Sequence, residues 1–163
     1  MSEHKAFLNW TRKTADFNYE TYDRTHEVHF EGGTTFKASS APDFLGKKEN
    51  VNPEEMLAAS LASCHMLTFL AIAAKSRLIL ESYQDEATSI LEKNEKGKLA
   101  VTKIFLKPRA KFSGESRPNL EKIKEMHSKA HHNCFIANSI KCDVTIEPVE
   151  WTKEDYEKSK DKF

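Results

Sequence analysis

The sequence predicts an α+β domain spanning residues 1–163, built from antiparallel sheets around one long buried helix. Three observations carry this. The first 50 residues alternate polar and apolar positions in short β-rich runs. A nearly uncharged helical stretch follows a strong start signal at Asn52-Pro53-Glu54-Glu55. Beyond it come a strand-turn-strand pattern, an amphipathic helix and a closing alternating segment, with no internal repeat and no linker.

In the N-terminal β region (1–50), Ala6 to Thr11 is a short mixed segment, and Thr25 to Phe30 alternates through Glu27, Val28, His29 and Phe30. Gly32-Gly33 then turns the chain into Thr34 to Ala38. Ser39 to Asn52, with Pro42 and Gly46, reads as a loop. The central helix is predicted over 52–78. Asn52 caps it, Pro53 fits the first helical position, and two acids sit where the helix dipole favours them. From Met56 onward it carries almost no charge until Lys75, so it is expected to be buried on most sides. Ser60, Ser63, His65 and Thr68 favour a core helix over a membrane span, which needs ~20 apolar residues.

Residues 81–149 supply the rest. Tyr83 to Leu91 and Leu99 to Phe112 flank the polar turn Lys93 to Lys98, the pattern of one β-hairpin. Leu120, Ile123, Met126 and Ala130 recur at helical spacing within Pro118 to His131. Ile140, Cys142, Val144 and Ile146 alternate as a strand. A charged tail is expected over 150–163.

Lys plus Arg and Asp plus Glu each number 25, so no net charge draws the chain to nucleic acid or to an anionic membrane. The opening MSEHKAFLNW does not read as a secretory signal, and three cysteines are an odd number for a disulfide framework. The expected compartment is the reducing cytoplasm, where a cysteine is a packing residue, a metal ligand or a reactive thiol.

Cys64 sits in the apolar helix among Ala58-Ala59-Ser60-Leu61-Ala62-Ser63, with His65 beside it. A thiol reacts as its thiolate, which an apolar helix disfavours, and no Lys or Arg lies within ten residues of Cys64. A working Cys64 therefore needs a cation from a distant segment. Cys134 lies in the polar junction Ala130-His131-His132-Asn133-Cys134, whereas Cys142 shares an alternating face with core residues. His127 and His131, four apart on a helix, could with Cys134 edge a metal site, but no CxxC or HExxH motif accompanies them.

Two segments resemble a known family. Asn52-Pro53-Glu54-Glu55 followed by Cys64, ten residues after Glu54, resembles the first motif of the OsmC/Ohr thiol peroxidases. Ala130-His131-His132-Asn133-Cys134-Phe135 resembles their second. His65 departs from the phenylalanine that follows the first cysteine in many relatives. The resemblance implies an OsmC-like fold in an intertwined homodimer and a peroxidase reducing organic or fatty-acid hydroperoxides. Cys64 would be the peroxidatic thiol and Cys134 the resolving one, with Glu54 orienting an arginine from the N-terminal region. Arg24 is the first candidate for that arginine and Arg12 the second. No metal or other cofactor is implied; an external dithiol such as a lipoyl group would regenerate the thiols. The competing expectation is a protein of the same fold that binds an apolar ligand without turning it over. Glu54 and Cys64 are ~15 Å apart along one straight helix, so a shared site needs the arginine as a bridge, a helix break or a second subunit.

Overall fold

The computed structural model describes residues 1–152, and most of the tail expected over 150–163 lies outside the described residues. The chain gathers into two compact units, Met1–Met56 and the remainder from Leu57, with the division falling in the first turn of helix α1 (Pro53–Lys75).

The first unit is a three-stranded antiparallel sheet, β1 (Ala6–Asn9), β2 (His26–Phe30) and β3 (Thr35–Ala38), in the order β1-β2-β3. Val28 pairs with both Leu8 and Phe36, and Val28 and Ala38 are buried. The β2–β3 turn closes with Gly33 at φ +87°, a conformation glycine adopts without steric cost. The loop after β3 contains one 3-10 turn, Pro42–Phe44. It packs back so closely that a Cβ on Gly46 would lie 1.5 Å from the Ser40 carbonyl oxygen.

Helix α1 opens with a reciprocal capping box. The Asn52 side chain accepts from the Glu55 backbone N–H at 2.8 Å, and the Glu55 carboxylate accepts from the Asn52 N–H at 2.9 Å. It closes three residues short of the predicted Leu78. Arg77 takes the left-handed conformation (φ 57°), and the N–H groups of Leu78 and Arg77 donate to the carbonyls of Ala73 and Ala74. That is a Schellman closure, built here on an arginine where glycine is usual. The helix has the length and apolarity of a membrane span. Yet its buried residues, Ala58, Leu61, His65, Phe69 and Ala73, recur every three or four positions and line a single face. The opposite face, with Ala59, Ser60, Ser63, Leu67, Ala71 and Ala74, is exposed. Among the described residues of this unit, packing buries one face of α1 and leaves the other exposed.

The predicted single hairpin resolves into four strands. β4 (Ile79–Gln84) pairs antiparallel with β7 (Arg109–Ser113), and β5 (Ala87–Lys93) pairs antiparallel with β6 (Leu99–Leu106). The break between β6 and β7 falls at Lys107-Pro108, where proline cannot donate to a ladder and the Lys107 N–H turns to the Asp85 carboxylate at 2.8 Å. Helix α2 (Leu120–Asn133) is capped by Asn119, which accepts from the Lys122 N–H at 2.9 Å. β8 (Asp143–Ile146) is shorter than the alternating pattern and runs parallel to β6, the one parallel pair among the described strands.

Two clusters form the core of this unit. Phe69, Ala73, Ala110, Phe112, Met126 and Ala130 join α1, β7 and α2. Ala58, Leu61, Ile104, Leu106 and Cys134 join α1, β6 and the end of α2, with Cys64, Cys142, Val144 and Ile146 packed against them.

Candidate thiol site

The second core cluster brings Cys64 and Cys134 together from positions 70 residues apart. All three cysteines are free thiols. Cys64 is half-buried on α1, where the Thr68 hydroxyl donates to its carbonyl at 2.8 Å. Cys134 is fully buried and caps the C-terminus of α2. Its Sγ accepts the Ala137 backbone N–H at 3.4 Å, and its carbonyl accepts from the Asn138 side chain at 2.9 Å. The chain after α2 thus folds around the sulfur in one tight turn.

Burial pushes the Cys134 thiol up, and the Ala137 N–H offsets only part of this; a hydrogen-bonding contact with Cys64 and its charge push the same way as burial. Cys134 is therefore disfavoured as a thiolate in the resting protein and keeps its proton until it reacts. Cys142 precedes β8, half-buried, and its thiol is also pushed up, by burial first.

A groove of about 770 Å³ runs along α1 past Cys64, walled on the far side by Asn133, Phe135 and Ile136. Phe135 is 82% exposed and Leu67 59%, so the groove presents apolar surface to the outside.

The other candidate residues belong to the first unit. Arg24 lies in an aromatic pocket of about 600 Å³ with Trp10, Phe17, Tyr19 and Tyr22. Its guanidinium donates to the carbonyls of Tyr22 (3.1 Å) and Tyr19 (2.6 Å) and sits 4.0 Å from the Tyr22 ring centroid. Arg12 donates to the carbonyls of Thr14 (3.1 Å) and Ala15 (2.5 Å). Glu54 stands in the first turn of α1, half-buried. The helix is unbroken from Pro53 to Lys75, which removes a helix break as the route for Glu54 to meet Cys64.

Two histidines take a place their sequence context did not announce. His65 points away from the groove, fully buried, and its Nε2 meets His127 Nδ1 at 2.9 Å with the rings 7° from parallel. Phe69, one turn further along α1, stacks on the same His127 ring at 4.1 Å. His127 is thus gripped twice by α1 instead of edging a metal site. Among the described residues no group of three or more His, Cys, Asp or Glu is placed to hold a metal. The readable signal was spacing: His65 falls on the buried series Leu61, Phe69, Ala73, and His127 adjoins Met126 and Ala130.

The fold is an α+β chain with a long capped helix that carries one thiol at its middle and a second thiol closing the following helix. Residues 46–149 match the OsmC-like protein family, and the chain belongs to it. An OsmC-like protein of unknown function from Vibrio cholerae is 48% identical, with a TM-score of 0.88 over 91% of this chain and 100% of that one. An uncharacterized protein of Bacillus subtilis, YmaD, is 28% identical over 151 residues, 90% of this chain and 93% of its own length. The organic hydroperoxide resistance protein OhrB of Bacillus subtilis shares the fold, with a TM-score of 0.64 at 20% identity over 89% of this chain and 98% of that one.

Proposed function

We propose that this protein is a thiol-dependent peroxidase that reduces organic or fatty-acid hydroperoxides in stress defence. The observation that carries the reading is the asymmetric thiol pair: Cys64 opens onto an apolar groove, while Cys134 is buried against it and held protonated. The Cys64 thiolate attacks the terminal oxygen of R–O–OH; an S–O bond forms, the O–O bond breaks, and RO⁻ leaves and takes a proton. Cys134 sulfur then attacks the Cys64 sulfenic sulfur. The S–S bond forms, and the departing hydroxide leaves as water with the Cys134 proton. An external dithiol supplies two electrons and two protons to restore both thiols. Family membership supports the reading, and so does the apolar groove, which rewards an apolar substrate.

In this reading Arg24 supplies the cation that holds Cys64 as thiolate, with Glu54 orienting it and a second copy of the chain completing the site; Arg12 is the alternative. Iodoacetamide alkylation of Cys64 at pH 7 tests the assignment. Arg24→Ala is expected to slow it at least ~10-fold, the equivalent of ~1.4 kcal/mol. An effect at Arg12→Ala alone transfers the role to Arg12.

The decisive experiment is stoichiometric: one equivalent of cumene hydroperoxide consumes both Cys64 and Cys134 thiols, a dithiol restores turnover, and Cys64→Ser abolishes both. Tight binding of apolar compounds without thiol loss would instead make the groove a ligand carrier.

A further inference from the structure

The buried face of α1 carries a polar tie that the thiol chemistry does not use. His65 Nε2 and His127 Nδ1 meet at 2.9 Å, and Phe69 stacks on the His127 ring at 4.1 Å. Both imidazoles are buried, and burial lowers both, so at neutral pH one N–H of an uncharged pair makes the bond. A hydrogen bond has a direction. The neighbouring contacts of Ala73, Met126 and Ala130 are apolar and have none.

The tie sits where direction counts. His65 adjoins Cys64, so gripping its ring fixes the rotation of α1 about its own axis. His127 lies two turns before Cys134, within ~20° of the same face of α2 and ~10.5 Å along it. A swing of ~5° about the pair would carry the end of α2 through ~0.9 Å. A disulfide tolerates Cα separations of only ~4.4–6.8 Å, so that swing is a large part of the tolerance.

We infer that His65 and His127 are positioning residues, whose hydrogen bond holds the end of α2 so that Cys134 stays within reach of Cys64. The inference rests on the thiol pair of the peroxidase reading above and concerns the closing of its disulfide, whatever the oxidant. An apolar pair of similar size would fill the same space without setting the angle.

The test closes the disulfide without a peroxide, on a Cys142→Ser background that leaves one pair of thiols. Cys64 and Cys134 give two electrons and two protons to glutathione disulfide; the protein S–S bond forms and two glutathione thiols leave. The equilibrium across glutathione ratios gives the effective concentration of the pair, and mass spectrometry identifies the bridge. His65→Leu/His127→Leu removes both partners and orphans neither, so stability at pH 7 should stay near that of wild type. Its effective concentration should fall ~10-fold to ~100-fold, the scale of a misplaced reacting group. His65→Gln, whose amide can stand in for Nε2, should stay within about threefold of wild type. His65→Met, of similar length but without the hydrogen bond, should not. A pair that only packs would move the urea midpoint and leave the effective concentration alone. A value within about twofold of wild type in the double variant overturns the inference. If the double variant does not fold, equal values in His65→Gln and His65→Met overturn it. A wild type that forms no Cys64–Cys134 bridge at any glutathione ratio overturns it as well. A bridge that closes with glutathione but not with cumene hydroperoxide sinks the peroxidase reading alone, and the glutathione equilibrium still decides the histidines.

Discussion

Cys134, which caps α2, and His127, two turns before it, are both buried and each meets a residue of α1, but their chemistries differ. Cys134 faces a thiol and is proposed to react; His127 faces His65, and this pair is proposed to position the helices that carry the thiols. Cys134→Ser should allow a single turnover and leave Cys64 as a sulfenic acid that excess peroxide drives to sulfinic acid. Mass spectrometry that finds no oxygen gained on the Cys64 peptide would remove Cys134 as resolver. Cys142→Ser should keep near wild-type activity. The imidazoles set an acid sensitivity whose sign can be worked out. Burial lowers His65 to about 4 and His127 to about 3, with a further push from a neighbouring histidine in each case, His131 and His65 respectively. Both bind protons more readily when unfolded, so stability is full above ~6.5 and falls by up to ~1.4 kcal/mol per pH unit for each below it. Asp85 acts in the opposite sense: burial raises it to about 6, so its protonation in the folded state restores about one such increment per unit below pH 6. The net expectation is a loss of ~1.4 kcal/mol per unit between pH 6 and 4.5. Urea unfolding at pH 7, 6 and 5 measures it. The double variant His65→Leu/His127→Leu should reverse the slope, and a wild-type profile flat over this range would show that the pair is not held neutral.

At the scale of elements, what was legible in the sequence was what local chemistry decides. Asn52, Pro53 and Glu55 set the start of α1, Asn119 sets that of α2, and Gly33 sets the β2–β3 turn. What was not legible depends on which strand finds which partner. Tyr83 to Leu91 has one alternating pattern, yet Asp85 splits it because its carboxylate takes the Lys107 N–H from across the unit. The thiol pair was legible as two motifs, whereas the histidine pair was not, because neither residue shows in its own neighbourhood that the other exists. The end of α1 was misjudged for a local reason. Arg77 adopts a left-handed conformation that its side chain disfavours, so apolar pattern alone carried the helix on to Leu78. Arg77→Gly should therefore stabilise the protein by about 1 kcal/mol, since glycine enters that region without a Cβ penalty. A rise in the urea midpoint with an unchanged slope is the expected result. A fall would mean that the arginine side chain contributes more than the backbone strain it imposes.

For the whole molecule, the unresolved matter is the outer face of α1. Ala59, Ser63, Leu67 and Ala74 are exposed on a helix whose composition is that of a core. A solvent-facing helix normally carries charges on its outer side, and here none appears between Glu55 and Lys75. The proposed homodimer accounts for this with small residues that let two helices approach closely. Ser63 and Leu67 of this face also line the groove that holds Cys64, and Ala74 lies between them around the helix, so a partner helix seated there borders the thiol site. Both alanines are exposed in the single chain, and glutamate is a good helix former, so Ala59→Glu/Ala74→Glu costs the isolated fold little. At a helix–helix interface the same change buries unpaired like charges, which is strongly unfavourable. Sedimentation velocity should therefore find the wild type dimeric and the double variant monomeric, with the far-UV circular dichroism of the two superimposable. The monomer should also lose peroxide reduction if a second copy completes the site, and keep it if one chain suffices. A wild type that sediments as a monomer at every concentration would sink the dimer, and the bare face of α1 would then need another partner.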